Sequence, residues 1–150
     1  MIYIGADHRG YRLKNKIKNF LTQKGFSVVD VGAFTDQKSS DYPKISFKVA
    51  QKVAQDRNAK GILICMTGIG NSIAANKVRG IRAALCYNKT AARLSRQHND
   101  ANVLVLGSKF VHPKEIMGIV SVWLKTEFEG QRHQRRVNQI KAIERKCAKA

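Results

Sequence analysis

Gly61-Ile62-Leu63-Ile64-Cys65-Met66-Thr67-Gly68-Ile69-Gly70-Asn71-Ser72-Ile73-Ala74-Ala75-Asn76-Lys77 passes from an apolar run through a glycine turn into a small-residue segment. Residues 61–65 are apolar throughout, the pattern of a strand buried on both faces. Residues 73–77 read as a short helix. A buried strand that empties through glycines into a helix is the unit of a parallel sheet, in which ligands lie beyond the carboxyl ends of the strands.

Working outward, the same alternation occurs five times. Residues 2–6 read as a strand that leads through Asp7-His8-Arg9-Gly10 into a helix over 11–24. Residues 26–31 read as a second strand, followed by a polar loop that ends at Asp41-Tyr42-Pro43. Pro43 suits the first turn of a helix running to about residue 56. A fourth strand over 81–87, a helix over 90–98, a fifth strand over 103–106 and a helix over 113–128 follow. A basic helix over 134–146 is long enough to reach toward another subunit. The expectation is one Rossmann-like α/β domain over residues 1–150: a five-stranded parallel sheet, helices on both faces and a C-terminal helix.

The bulk properties agree with one soluble domain. At 150 residues, with 43% hydrophobic residues, the chain can bury a core without disulfides. Residues 1–5 read as a strand and not as a targeting leader, and no apolar run reaches the roughly 18 residues of a membrane span. Cys65, Cys86 and Cys147 have no zinc-type pairing, and reduced thiols in a cytoplasm are the simple reading. Charge is the unusual quantity: 28 Lys and Arg against 10 acids leave a net +18. Part of it lies in Arg132, Arg135, Arg136, Lys141, Arg145, Lys146 and Lys149. The rest is scattered over helices, as at Arg12, Lys14, Lys16 and Lys18, which reads as solvated faces. Any affinity for nucleic acid is expected to be nonspecific and salt-sensitive.

Several groups can carry chemistry, and each also has a plain structural reading. Thr67-Gly68-Ile69-Gly70-Asn71-Ser72 is built to bring backbone N–H groups to an anion, or simply to turn tightly. It is no dinucleotide fingerprint, because Ile73 occupies the third glycine place, and no lysine follows Gly70 as a Walker loop would require. Cys65 can be a base beside converging amides, or a small buried strand residue. Asp7 and His8 can meet sugar hydroxyls and a phosphate, or cap a helix and face solvent. His98, at a helix C-terminus, can be an acid or a dipole partner. Arg132 and Arg136, four residues apart beside His133, can clamp a phosphate or form a solvated face.

Taken together these blocks resemble ribose-5-phosphate isomerases of the B type and their galactose- and allose-6-phosphate relatives. The resemblance runs from Gly5-Ala6-Asp7-His8-Arg9-Gly10 to Arg132-His133-Gln134-Arg135-Arg136-Val137. It includes Asp41-Tyr42-Pro43, residues 61–65 and 67–77, Gly80-Ile81-Arg82-Ala83-Ala84 and Arg96-Gln97-His98-Asn99-Asp100-Ala101-Asn102-Val103-Leu104. It implies aldose–ketose isomerisation of ribose 5-phosphate and ribulose 5-phosphate through an enediolate. Cys65 matches the family's base, Thr67 a proton-moving hydroxyl and His98 the group that opens the sugar ring. Gly68, Ile69, Gly70, Asn71 and Ser72 match the loop whose amides hold the enediolate. Asp7, Tyr42 and Asn99 match sugar contacts, and His8, Arg132 and Arg136 match phosphate contacts. The resemblance also implies no metal or other cofactor, and a homodimer or tetramer whose sites are built from two subunits.

Three positions depart from the family pattern. Met66 stands in place of a glycine after the cysteine, and Gln131 in place of the second glycine before Arg132-His133. Lys109 stands where an arginine is usual, which keeps a charge for the substrate but loses a bidentate contact. Two rival readings follow: an isomerase for a six-carbon phosphosugar, and a catalytically inert phosphosugar- or polyanion-binding protein.

Overall fold

A computed structural model describes residues 1–147, and Lys149 lies outside them. Five strands, β1 (Ile2–Ala6), β2 (Val28–Gly32), β3 (Lys60–Cys65), β4 (Ala83–Leu85) and β5 (Val103–Gly107), form one sheet in the order β2-β1-β3-β5-β4. Every pairing is parallel. Between and after them run α1 (Tyr11–Gln23), α2 (Tyr42–Gln55), α3 (Ile69–Ala75), α4 (Lys89–Asn99), α5 (Pro113–Lys125) and α6 (Gln131–Cys147).

The alternation of β3 shows why the sheet is covered twice. Ile62 and Ile64 point to one side and join Ile17, Leu21, Leu104, Ile119 and the fully buried Trp123. Leu63 points to the other and packs with Val49, Val53, Ala75 and Val105. Period-two geometry thus places α1, α4 and α5 on one face and α2 and α3 on the other. Among the described residues no helix is long and apolar enough to cross a membrane.

Several expected boundaries shift, each for a local reason. The second strand begins at Val28 because Gly25, at φ +81°, turns the chain and the Phe26 amide bonds back to the Leu21 carbonyl. α3 starts at Ile69, earlier than residue 73, because Gly68 takes the left-handed bend at φ +82° and puts Gly70 inside the first turn. β4 keeps only three residues at the sheet edge, since the Arg82 amide is taken by Asn102 Oδ1. α5 ends at Lys125, where the chain turns extended at Thr126.

Lys14 corrects the picture of helical lysines as a solvated face. It is fully buried, its ammonium 2.6 Å from Asp30 Oδ1 and 2.5 Å from the Ala33 carbonyl. Lys18 holds the other Asp30 oxygen at 3.0 Å. Burial pushes the Asp30 carboxyl up, but the hydrogen bonds from the two lysines outweigh this and hold it below its ordinary value. The pair fastens α1 to the end of β2, where the chain enters the loop toward Ser40.

Candidate active site

In this strand order the chain leaves β1 toward β2 and leaves β3 toward the opposite end of the sheet. The crevice beyond the carboxyl ends of β1 and β3 is therefore a topological switch point, the place where such sheets bind ligands. Gly10 makes its floor tight: a Cβ there would meet the Ile64 carbonyl, so the loop after β1 rests directly on β3.

Cys65 ends β3, almost wholly buried, and its sulfur accepts a hydrogen bond from the Gly68 amide at 3.0 Å. The Ile69 amide donates to Thr67 Oγ1 at 3.3 Å. Tyr87 donates its hydroxyl to the Thr67 carbonyl at 3.2 Å, which pins the turn from the β4 side. A Cβ on Gly107 would run into that same carbonyl, so β5 also presses on the turn. The Gly70 and Asn71 amides, in the first turn of α3, have no carbonyl one turn back within the helix, which leaves them available to an oxyanion. Asn71 is buried, and its side-chain oxygen has no hydrogen-bond partner among the described residues.

Around this turn stand most of the predicted residues. Tyr42 opens α2 with its ring against Gly70, where any Cβ would overlap it. Asp7 is buried and accepts from the Gly10 amide at 2.9 Å, closing its own loop and not the helix start. His8 Nδ1 accepts from the Ser40 amide at 3.2 Å, while its own amide donates to Ser40 Oγ at 3.0 Å. That reciprocal pair puts the ring proton on Nε2, ready to meet an anion. Lys109 donates its amide to the Met66 carbonyl at 3.0 Å, which brings the loop after β5 to the same edge.

His98, Asn99, Arg132 and Arg136 are not brought to Cys65 within one chain. α4 runs back against the strands, so its C-terminal residues lie at the amino edge of the sheet. There Arg82 Nε bonds the Asn99 carbonyl at 2.9 Å, and the Asn102 carbonyl takes the Gly61 amide at 2.9 Å. Gly61 and Cys65 are four strand residues apart, roughly 13 Å. The predicted residues therefore form two clusters at opposite edges of one chain.

The amino-edge cluster has its own geometry. The His98 and His133 rings are stacked, centroids 4.2 Å apart and planes 6° from parallel. His133 Nε2 stands 3.3 Å from Arg132 Nε and 3.5 Å from Glu129 Oε2. One nitrogen cannot serve both partners: bare, it accepts from Arg132; protonated, it donates to Glu129. Burial, then His98 and Arg132, push His133 toward the neutral form, and Glu129 opposes them. His98, Glu129 and His133 place their ligand atoms within 4.8 Å of one another. Stacked rings nevertheless hold their in-plane lone pairs parallel, so the two imidazoles do not converge on one ion.

The departures separate cleanly. Met66 does not take a positive φ, whereas Gln131 does, at +46°, directly after Gly130 at +67°. The missing glycine is thus felt at position 131. Tyr87, Ser40 and Glu129 escaped the sequence-based site, and His133 entered it only beside the Arg132 and Arg136 clamp. Only the Arg96-Gln97-His98-Asn99-Asp100 block and the Arg-His pair at 132–133 signalled that region, and neither reveals the stacking. Of the remaining thiols, Cys86 is buried, which pushes it up to about 11, and Cys147 is exposed.

Comparison with known proteins places the chain in a family. A family model described as Ribose/Galactose Isomerase matches residues 2–140. The chain is 47% identical over 145 residues to ribose-5-phosphate isomerase B of Escherichia coli, covering 97% of each. It is 42% identical over 145 residues to the putative sugar phosphate isomerase YwlF of Bacillus subtilis, again covering 97% of each. Among solved structures, ribose-5-phosphate isomerase B of Clostridium thermocellum superposes with a TM-score of 0.94 at 51% identity, covering 97% of each chain. The Mycoplasma genitalium enzyme with bound ribulose 5-phosphate superposes with a TM-score of 0.93 at 47% identity, over 96% of this chain and 95% of that one. This chain belongs to the ribose/galactose isomerase family.

Proposed function

We propose that the protein interconverts ribose 5-phosphate and ribulose 5-phosphate, with Cys65 as the base. The observation that carries this is the Gly68 amide donating to the Cys65 sulfur at the switch-point crevice. The Cys65 thiolate removes the proton from C2 of the open-chain aldose, and the electron pair moves onto the carbonyl oxygen to form the enediolate. Within the loop from Gly68 to Ser72, the amides of Gly70 and Asn71 stabilise that oxyanion. Thr67 exchanges protons between O1 and O2, and Cys65 returns its proton to C1. Asp7 and Tyr42 orient the hydroxyls, while His8 and Lys109 offer positive or donating groups at the same edge.

The remaining groups come from a second copy. His98 opens the furanose ring, Asn99 contacts the sugar, and Arg132 and Arg136 hold the phosphate. A two-fold homodimer pairs the carboxyl edge of one chain with the amino edge of the other twice over. Exposed Ile69 and Ile73 on α3, with Ile140 and Ile143 on α6, supply apolar surface for that contact. A groove of about 710 Å³ between β4, the turn after α3 and α6, lined by Ile140, Ile143 and Asn99, offers it a seat. We assign the enzyme to a reducing cytoplasm, which keeps Cys65 a thiol.

The test is turnover of ribose 5-phosphate by purified protein in buffer containing a chelator. Robust formation of ribulose 5-phosphate is expected. No turnover of ribose 5-phosphate would overturn the assignment.

A further inference from the structure

We propose that Met66 and Arg9 form a side-chain bridge that sets the length of the crevice and selects five-carbon over six-carbon phosphosugars. The inference rests on the isomerase reading and concerns its substrate class.

Met66 lies between the proposed base Cys65 and Thr67, half-buried at the carboxyl end of β3. Its backbone is held in place, since its carbonyl takes the Lys109 amide and the preceding Cys65 carbonyl takes the Ser108 amide at 2.9 Å. With the backbone fixed, only the side chain chooses a direction. It reaches toward the loop after β1, where Arg9 Nη1 stands 2.8 Å from Met66 Sδ. The thioether is a weak acceptor, but the guanidinium selects one of its many rotamers.

The consequence is steric. β1 and β3 are neighbours in the sheet, so a contact from the loop after one to the loop after the other crosses the switch-point crevice. Asp7 and His8 flank it on the β1 side, and Cys65 and Thr67 on the β3 side. A ligand with its reacting carbons at Cys65 and its phosphate beyond the crevice passes beside this bridge. A chain one carbon longer needs room that the Met66 side chain fills. One added carbon unit in a fitted pocket is discriminated by roughly 10- to 200-fold. Arg9 is exposed, so the bridge can be released without disturbing a core.

Binding of unreactive aldonate phosphates with five and six carbons, of ribo and allo configuration, tests this by calorimetry without needing turnover. The wild type is expected to favour the five-carbon ligand by about tenfold or more. Met66→Gly is expected to reduce that ratio to about threefold or less, by strengthening six-carbon binding. Met66→Ala keeps a Cβ on the loop beside Cys65 and should shift the ratio the same way. Arg9→Ala should do so in part, by freeing the thioether. A ratio unchanged in both Met66 variants, or a wild type that does not discriminate, overturns the bridge as a length filter. Failure of the isomerase reading is seen separately, as absent turnover of ribose 5-phosphate by a wild type that still discriminates the aldonates.

Discussion

The Gly68 amide donates to the Cys65 sulfur at 3.0 Å, so the residue that bends the chain also contacts the proposed base. Gly68 can do both because its φ of +82° turns its N–H back over the end of β3, and a Cβ there would strike Leu85. Cys65→Ala should lower kcat by about 10²- to 10⁴-fold, the usual worth of a general base. Affinity for a five-carbon aldonate phosphate should stay within about threefold. A kcat that survives the substitution would remove Cys65 from the chemistry.

Gly70 tests the cradle by packing. Its Cα lies against the Tyr42 ring, so Gly70→Ala must displace either the ring or α3. We expect destabilisation of about 1–3 kcal/mol, the range for overpacking. Adding Tyr42→Ala should recover most of it, because the two changes act on one contact. Additive losses in chemical denaturation would show that the ring and the glycine are not in contact.

Gln131 carries backbone strain that a glycine would relieve. A non-glycine residue at φ +46° costs roughly 1–2 kcal/mol, partly offset by the chain entropy a glycine adds. Gln131→Gly should therefore raise stability by up to about 1 kcal/mol, or ~2–4 °C in Tm. A lower Tm would place the constraint elsewhere.

His133 gives stability a pH dependence of definite sign. Its folded pKa lies below its ordinary value of 6.5, so the unfolded chain binds the proton more readily. The contribution is present above pH 6.5 and is lost as pH falls from there through the folded value. Thermal unfolding from pH 7.5 down to 5.5 should show this loss, and His133→Asn should show less of it. Glu129→Gln removes the one group that opposes the shift and should steepen the loss. Identical pH profiles for wild type and His133→Asn would contradict the reading.

The architecture was legible in the 61–77 stretch because burial on both faces and a glycine turn admit few folds. Glycines were legible as a turn but not as the start of α3, since Gly70 has poor helix propensity and only the bend at Gly68 makes room for it. Lys14 read as one more surface lysine, because its partner Asp30 is 16 residues away and meets it only through the packing of α1 on β2. In the site, Cys65, Thr67 and the loop to Ser72 are contiguous, so sequence order alone places them together. His98 and His133 are separated by 35 residues in sequence, and their stacking depends on how α4 and α6 pack. That both lie at the edge opposite Cys65 follows from strand direction, which no local motif records.

The central claim is that Cys65 of one chain works with His98 of another. Cys65→Ser and His98→Asn chains, carrying different tags and co-expressed, can be purified as the mixed dimer and assayed on ribose 5-phosphate. Each variant alone should be strongly impaired. In the mixed dimer one of two sites combines an intact Cys65 with an intact His98, so about half of the wild-type activity should return. Activity no higher than that of the single variants would contradict a site shared between subunits.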